Sequence, residues 1–350
     1  MAERDMRIFC IGDLCCDLII PYGKMKQMLA AGDISKSSAS GVQVSMRCGG
    51  SVGNTARALG RLSAHPVFLT PLKEDELGCW LKKQMEGAGV DMSLTVPSKR
   101  SNMYCAAVLD ESGERTMFCF IPPWADYPRF KHDSFSHVPE GNPQTLLFTS
   151  GMAFHDDMEN NEAVLHFFRI QKAQGSRIVF DLNVRAESYG YEGVRRRAME
   201  EMISMSDIIL GSGADEFSAV TGSRDLHRAA ELLLEAMRAG SGNAQSECPE
   251  KTSPGTGQAD TGKRNDSGTV IARNGGAPIL ILGEGADCPD GTIVPVRAVK
   301  VVSTLGAGDA FDAMFLKQLS QGTLIPQAVQ AASDYAGELI SRPDNAAPED

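Results

Sequence analysis

The sequence has no excess of basic residues. It carries 34 Lys and Arg against 45 Asp and Glu, a formal net charge of -11 at pH 7. A general nucleic-acid or anionic-membrane surface needs the opposite balance, so neither partner is expected. No apolar run approaches the length of a membrane span, and Met1 to Met6 shows no signal-peptide core. There is no internal repeat, no CxxC pair and no Cys/His cluster at zinc spacing. The nine cysteines are an odd number. Cys10, Cys15, Cys16, Cys105 and Cys119 lie in strand-like runs, where cysteine behaves as a small apolar residue. Reduced thiols in a cytoplasmic protein are the expectation.

What is present is enough for a large core. The chain has 350 residues, 42% of them hydrophobic, which suits one large α/β domain or two smaller ones. Arg7 to Gly12 reads as a strand buried on both faces. Residues 22 to 40 read as a polar excursion, and Val42 to Arg47 alternates like a half-exposed strand. Met103 to Leu109 and Arg115 to Ile121 flank the turn Asp110 to Glu114. With the 42–47 strand, this hairpin reads as a small separate sheet or as an edge of the main one. From residue 145 the pattern is strand, helix, strand: Thr145 to Ser150, Asn160 to Ala173, Arg177 to Phe180, Gly193 to Ser204, Asp207 to Leu210. That alternation predicts a doubly wound, mostly parallel sheet. Pro278 to Leu282, Ile293 to Val296 and Val299 to Val302 read as further strands, and Ile325 to Ile340 as a final helix.

Two glycine turns open onto helices. The late one is Val301-Val302-Ser303-Thr304-Leu305-Gly306-Ala307-Gly308-Asp309-Ala310-Phe311. Its turn leaves backbone N–H groups at the positive end of a helix, an anion site. Asp309 in the first helical turn reads in two ways, as a helix-start acid or as a base taking a proton from a hydroxyl beside that site. The early turn is Cys48-Gly49-Gly50-Ser51-Val52-Gly53-Asn54, running into Thr55 to Leu62. Its paired glycines allow close approach of a ligand, and Asn54 offers donors and an acceptor. Asp13 and Asp17 follow the first strand, where ligands bind in open α/β sheets, and Asp13 reads better as a turn residue. Asp181-Leu182-Asn183-Val184-Arg185 and Gly213-Ala214-Asp215-Glu216 end two more strands, as cation ligands or as helix caps.

Residues 240–276 change character to Gly, Ser, Thr, Asn, Pro and charges, and read as a disordered insertion. Within it, Gly257 to Lys263 matches a phosphate-binding Walker loop until Arg264, where Ser or Thr is required. No strand precedes it and no apolar helix follows, so the match is rejected.

The early Gly-Gly…Asn stretch and the late Gly-Ala-Gly-Asp-Ala-Phe stretch together resemble the ribokinase-like (PfkB) carbohydrate kinase family. The segments Glu74 to Gly78, Asp110 to Arg115 and Asp181 to Arg185 are also similar. The resemblance covers nearly all of residues 1–350 outside the insertion. It implies one ribokinase-like domain: a doubly wound, mostly parallel sheet flanked by helices, with a β-sheet lid from strands within about 18–48 and 98–124. It implies transfer of the ATP γ-phosphoryl group to a sugar or nucleoside hydroxyl with Mg²⁺. On this resemblance Asp309 is the catalytic base, and Gly306, Ala307 and Gly308 form the anion hole. Asp17, Gly49, Gly50 and Asn54 hold the sugar. Asn183 and Glu216 lie near nucleotide phosphates and Mg²⁺, Glu216 directly or through water, and Gly283 lies near the nucleotide. Arg185 matches the arginine of a D-x-N-x-R pattern in members acting on sugar acids. In many members the lid also makes a homodimer contact.

The chain departs from the family pattern at four places. Ser303 replaces an Asp associated with a monovalent-cation site, which weighs against potassium activation. Gly213 replaces the Asn of N-x-x-E. Ala313-Met314 replaces the glycine after Phe311, and Gly283-Glu284-Gly285-Ala286 is irregular. The expectation is an ATP-dependent kinase of a small sugar or sugar acid. Its rivals are a nucleoside kinase, with Tyr104 or Phe118 stacking on a base, and a catalytically silent ligand-binding member.

Overall fold

The structure is a computed structural model that describes residues 6–32, 44–111, 115–120, 128–243, 268–284, 286, 291–302, 304 and 306–342. The chain opens with β1 (Arg7–Ile11), β2 (Cys15–Ile20), α1 (Tyr22–Ala31), β3 (Ser45–Gly49) and α2 (Ser51–Arg61). Then come β4 (Val67–Leu69), β5 (Pro71–Leu72), α3 (Glu76–Gly87), β6 (Val96–Pro97), β7 (Met103–Leu109) and β8 (Arg115–Phe120). The middle is β9 (Thr145–Ser150), α4 (Met158–Ala173), β10 (Arg177–Asp181), α5 (Ala186–Tyr189), α6 (Gly193–Met205), β11 (Ile208–Ser212), α7 (Ala214–Thr221) and α8 (Leu226–Asn243). The chain closes with β12 (Thr269–Asn274), β13 (Ala277–Gly283), β14 (Thr292–Val294), α9 (Ala307–Ser320) and α10 (Ile325–Ser341).

The main sheet has eight strands in the order β14-β13-β12-β11-β10-β9-β1-β4. It is parallel from β4 to β12, and β13 and β14 run antiparallel at one edge. Alternate strand residues feed two apolar layers. Phe9, Leu147, Phe180, Ile209 and Val270 pack with α4, α6 and α8. Ile8, Phe148, Val179, Leu210 and Ile271 pack with α2, α3, α9 and α10. A strand buried on both faces needs no polar alternation, which is why these runs read as continuous apolar segments. The connections of β1 and β9 leave on opposite faces, so a crevice opens at their C-terminal ends, where such sheets bind ligands.

The second sheet has the order β3-β2-β7-β8. Its register puts Asp17 beside Arg47 and Cys105, so these three share one face. Met46, Leu18, Ala106 and Phe118 form a row on the other face. Met46 and Phe118 are 47% and 48% exposed, so that row carries an open apolar surface. Cys10, Cys15, Cys16 and Cys48 are buried thiols, as small apolar residues would be. Burial lifts the Cys10 thiol well above its ordinary value.

The structure departs from the sequence reading at four places. Residues 22–31, expected as an irregular excursion, form α1, which ends in a left-handed glycine at Gly32. The proposed insertion 240–276 is shorter at both ends, since α8 runs to Asn243 and Thr269–Asn274 is a parallel strand against β11. That strand was hidden because Thr, Ala, Arg and Asn dilute its apolar signal. Residues 244–267 lie outside the described residues, as do Val42, Gln43, Ser303 and the 112–114 turn. Val299 to Val302 is not a strand. Val301 and Val302 are 51% and 49% exposed, and the Val302 amide donates to the Ile340 carbonyl at 2.8 Å, so α10 rather than the sheet holds this segment.

Candidate active site

The two glycine turns meet. α9 begins at Gly306, whose φ of 69° is left-handed and suits glycine. A Cβ at Gly306 or Gly308 would meet nothing within 4 Å, so the helix end is open. The Ala307 amide donates to Thr304 at 3.3 Å. The Gly308 and Asp309 amides have no intrahelical acceptor by helix geometry, and they are the donors an anion would meet.

Asp309 is half-buried in that first turn. Asn54 Nδ2 donates to its Oδ2 at 3.0 Å, and Ser51 Oγ donates to its Oδ1 at 3.4 Å. Arg57 Nη2 donates to Asn54 Oδ1 at 3.3 Å, which turns the amide so that its nitrogen faces Asp309. Burial pushes the Asp309 carboxyl up to about 7, against the Asn54 hydrogen bond, with Asp181 and Asp13 adding repulsion and Arg185 opposing it. A carboxyl with that value exchanges a proton readily near neutrality.

The same network reaches the end of β10. Asn183 Nδ2 donates to Ser51 Oγ, and Arg185 Nε donates to Asn183 Oδ1 at 2.9 Å. Asn183 and Arg185 have φ of 33° and 44°, left-handed values that are strained for residues with side chains. The chain Arg185–Asn183–Ser51–Asp309 therefore links three expected site residues through Ser51. Sequence reasoning passed over Ser51; its signal was its place between Gly50 and Asn54.

Asp13 caps α2 from across the crevice, accepting from the Ser51 amide at 2.8 Å and the Val52 amide at 3.1 Å. The sequence reads Asp13 as a turn residue; its carboxylate instead holds the start of α2 and lies close enough to Asp309 to repel it. Gly50 packs against it with φ of 91°, and a Cβ there would lie 2.7 Å from the Asp13 carbonyl. Asp17 and Gly49 stand on the neighbouring strands β2 and β3, where a Cβ on Gly49 would come within 2.3 Å of the Asp17 carboxylate. Glycine at 49 is thus the condition for Asp17 to lie flat across β3. Cys15, Asp17 and Cys105 each bring one donor atom within 4.8 Å of the others. Its hydrogen bond with Cys105 lowers the Cys15 thiol, but burial and the Asp17 and Asp13 charges outweigh it and push the thiol up to about 12, so it stays protonated.

Glu216, in the first turn of α7, accepts from the Val184 amide at 2.9 Å and the Ser212 amide at 2.6 Å. Both its oxygens are thus engaged with strand ends. Burial, with Asp181 nearby, raises its pKa. A cation would therefore meet Glu216 through water rather than through two open oxygens. The open amides of α9, by contrast, fit a phosphate. The structure does not bring Gly283 to this cluster. Gly283 pairs with Thr269, at the edge of the sheet opposite the strand ends that carry Asp181 and Ser212. β13 runs antiparallel, so its last residue returns to the far edge; the Asn274–Ala277 turn is the part of this hairpin near the site.

The family model for the pfkB family carbohydrate kinases matches residues 5–244 and 253–350. The chain belongs to this family, and is thus a phosphotransferase with an alcohol group as acceptor. It is 25% identical over 348 residues to a 5-dehydro-2-deoxygluconokinase of Bacillus velezensis, covering 97% of this chain and 90% of that protein. It is 24% identical over 288 residues to an aminoimidazole riboside kinase of Salmonella typhimurium, covering 82% of this chain and 78% of that protein. The fold matches the structure of aminoimidazole riboside kinase from Salmonella enterica complexed with aminoimidazole riboside and an ATP analog. That match has a TM-score of 0.69 and 18% identity, covering 96% of this chain and 94% of that one. A double-mutant fructokinase from Vibrio cholerae O395, bound to fructose, ADP and potassium ion, matches with a TM-score of 0.70 and 18% identity, covering 97% and 94%. Among the described residues no helix is long and apolar enough to cross a membrane.

Proposed function

We propose that this chain transfers the γ-phosphoryl group of ATP to a hydroxyl of a small sugar or sugar acid. One observation carries the reading: Asp309, with its carboxyl raised to about 7, stands beside the open amide end of α9 and is gripped by Ser51 and Asn54 of the facing helix. Asp309 takes the proton of the attacking hydroxyl, and the Gly306–Gly308 turn receives the phosphoryl oxygens. Asp17, Gly49, Gly50 and Asn54 make the sugar side of the crevice. Asn183 and Glu216 stand toward the nucleotide phosphates. Mg²⁺ bound with ATP would neutralise phosphate charge, and Glu216 would hold it through water. The protein is a cytoplasmic enzyme with one kinase domain. Its small sheet acts as a lid that excludes water, and pairing of two lids through the Met46–Leu18–Ala106–Phe118 row would bury its exposed apolar face.

A nucleoside acceptor is disfavoured by the lid register. Tyr104 pairs with Cys16 and Phe118 with Ala106, on the face opposite Asp17, so neither can stack on a base held at Asp17. A silent protein is disfavoured because the base, its two donors and the open helix end are all retained.

The test is ADP release from Mg-ATP across sugars, sugar acids and nucleosides, with Asp309→Asn alongside. Turnover of one sugar or sugar acid that vanishes in Asp309→Asn supports the reading. Turnover of nucleosides alone, or none with any acceptor, overturns it.

A further inference from the structure

Arg273 drew no notice in the sequence, yet it stands under the anion site. The β12–β13 pairing slips between Ala272 and Asn274, and such a bulge re-aims a side chain out of the regular ladder. The Arg273 side chain is buried, and its residue is only 7% exposed. Its Nη1 donates to Asp312 Oδ1 at 2.8 Å and to the Gly308 carbonyl at 3.4 Å. Its Nη2 reaches Asp181 Oδ1 at 3.5 Å, and its Nε donates to the Gly211 carbonyl at 3.3 Å. The guanidinium also lies 4.7 Å from the centre of the Phe311 ring. These partners belong to β10, β11 and the opening turns of α9.

The charges are balanced locally. Asp312 is fully buried, and its Oδ2 has no acceptor role filled. Burial, and Asp181 within hydrogen-bond reach, raise its pKa despite the arginine. Arg273 stands between the two carboxyl groups, with Nη1 on Asp312 and Nη2 on Asp181, so its charge serves both acids. A lysine could supply the charge. It could not hold both acids and two carbonyls at once, because the ammonium lacks the planar fork.

We propose that Arg273 is a positioning residue for phosphoryl transfer, fixing the first turn of α9 against the ends of β10 and β11 through Asp312 and the Gly308 carbonyl. It thereby sets both the amides that meet the transferred group and the place of Asp309. This rests on the reading of that turn as the catalytic anion site.

The experiment compares binding of MgADP alone with MgADP plus aluminium fluoride, a mimic of the transferring phosphoryl group, by calorimetry on the full chain. Arg273→Gln, Arg273→Lys, Asp312→Asn and Asp309→Asn are measured beside wild type. In both Arg273 variants, MgADP affinity should stay within about threefold while the extra affinity from aluminium fluoride falls at least about tenfold. Their kcat should fall by about 100-fold with little change in KM, the signature of an interaction made in the transition state. Asp312→Asn keeps an acceptor for Arg273 but removes the ion pair that anchors it on α9, so its fluoride-dependent gain should fall as well, by less than in Arg273→Gln. Full gain and kcat in Arg273→Gln would overturn the proposal. So would losses in MgADP affinity and gain that merely track the folded fraction. If the glutamine variant does not fold, Arg273→Lys decides: wild-type behaviour there means charge alone suffices and the bracing role fails. If Asp309→Asn is inactive while Arg273→Gln is active, only the positioning idea is lost. If Asp309→Asn turns over normally, or wild type gains nothing from aluminium fluoride, the reading of the site fails and takes this proposal with it.

Discussion

Asn54 Nδ2 donates to Asp309 Oδ2 at 3.0 Å, joining the first turns of α2 and α9 across 255 positions of sequence. The bond favours the charged form of a carboxyl that burial would otherwise keep protonated. It is therefore both a structural tie between the two glycine turns and a setting of the Asp309 carboxyl, the base proposed above.

Removing the Asp309 carboxyl separates activity from stability. Asp309→Asn should lower kcat by at least about 1,000-fold, the scale of a general base with its hydrogen bonds lost. The same change should stabilise the ligand-free fold at pH 8. Burial holds the folded carboxyl near 7, above an ordinary value of about 3.8, so between these pH values the folded state holds a proton the unfolded state has released. Stability contributed by this group thus falls as pH rises from about 4 to 7, and the penalty is complete above that, on the order of 4 kcal/mol at most. Melting curves at pH 4.5 and 8 check it. A variant no more stable than wild type at pH 8 would show that Asp309 is not held at a raised pKa.

The pH–rate profile should have its acid limb near 7, rising with pH as Asp309 loses its proton. Asn54→Ala removes a bond to the charged form, so the limb should move to higher pH. The loss of activity at pH 6.5 should then exceed the loss at pH 9. A limb that stays in place, with activity lowered evenly, would assign Asn54 to substrate contact alone.

Gly49→Ala should raise KM for the acceptor by about tenfold or more, because its Cβ would lie 2.3 Å from the Asp17 carboxylate and must displace it. Overpacking of this kind also costs about 1–3 kcal/mol of stability. KM for ATP should change little. Equal rises in both constants would point to general collapse of the crevice instead.

Arg185→Ala should weaken sugar-acid turnover more than neutral-sugar turnover, if the guanidinium meets an acceptor carboxylate. Its Nε is held by Asn183, which leaves the rest of the fork directed by a strained backbone. Comparing kcat/KM on a panel of sugar acids and neutral sugars decides this. Equal losses would remove the carboxylate role and leave Arg185 as support for Asn183.

Much of the architecture was legible because it depends on local pattern. Thr145 to Ser150 reads as a buried strand from its apolar run, and the structure forms β9 over the same residues. β12 was not legible, because a strand with Arg and Asn near its end looks polar until those side chains find partners elsewhere. Val299 to Val302 failed the other way: β-branched residues suit a strand, but among the described residues no strand pairs with them.

The candidate site divides along the same line. The sequence by itself determined the two glycine turns, Asp309 at a helix start and Asn54 near the other, since glycine placement and helix onset are short-range properties. Only the tertiary structure decided that Ser51 links Asp309 to Asn183, that Gly283 lies at the far edge of the sheet, and that Arg273 meets Asp181 and Asp312 under α9. Those facts depend on strand direction and on buried charges finding one another over long separations, which no local spacing encodes.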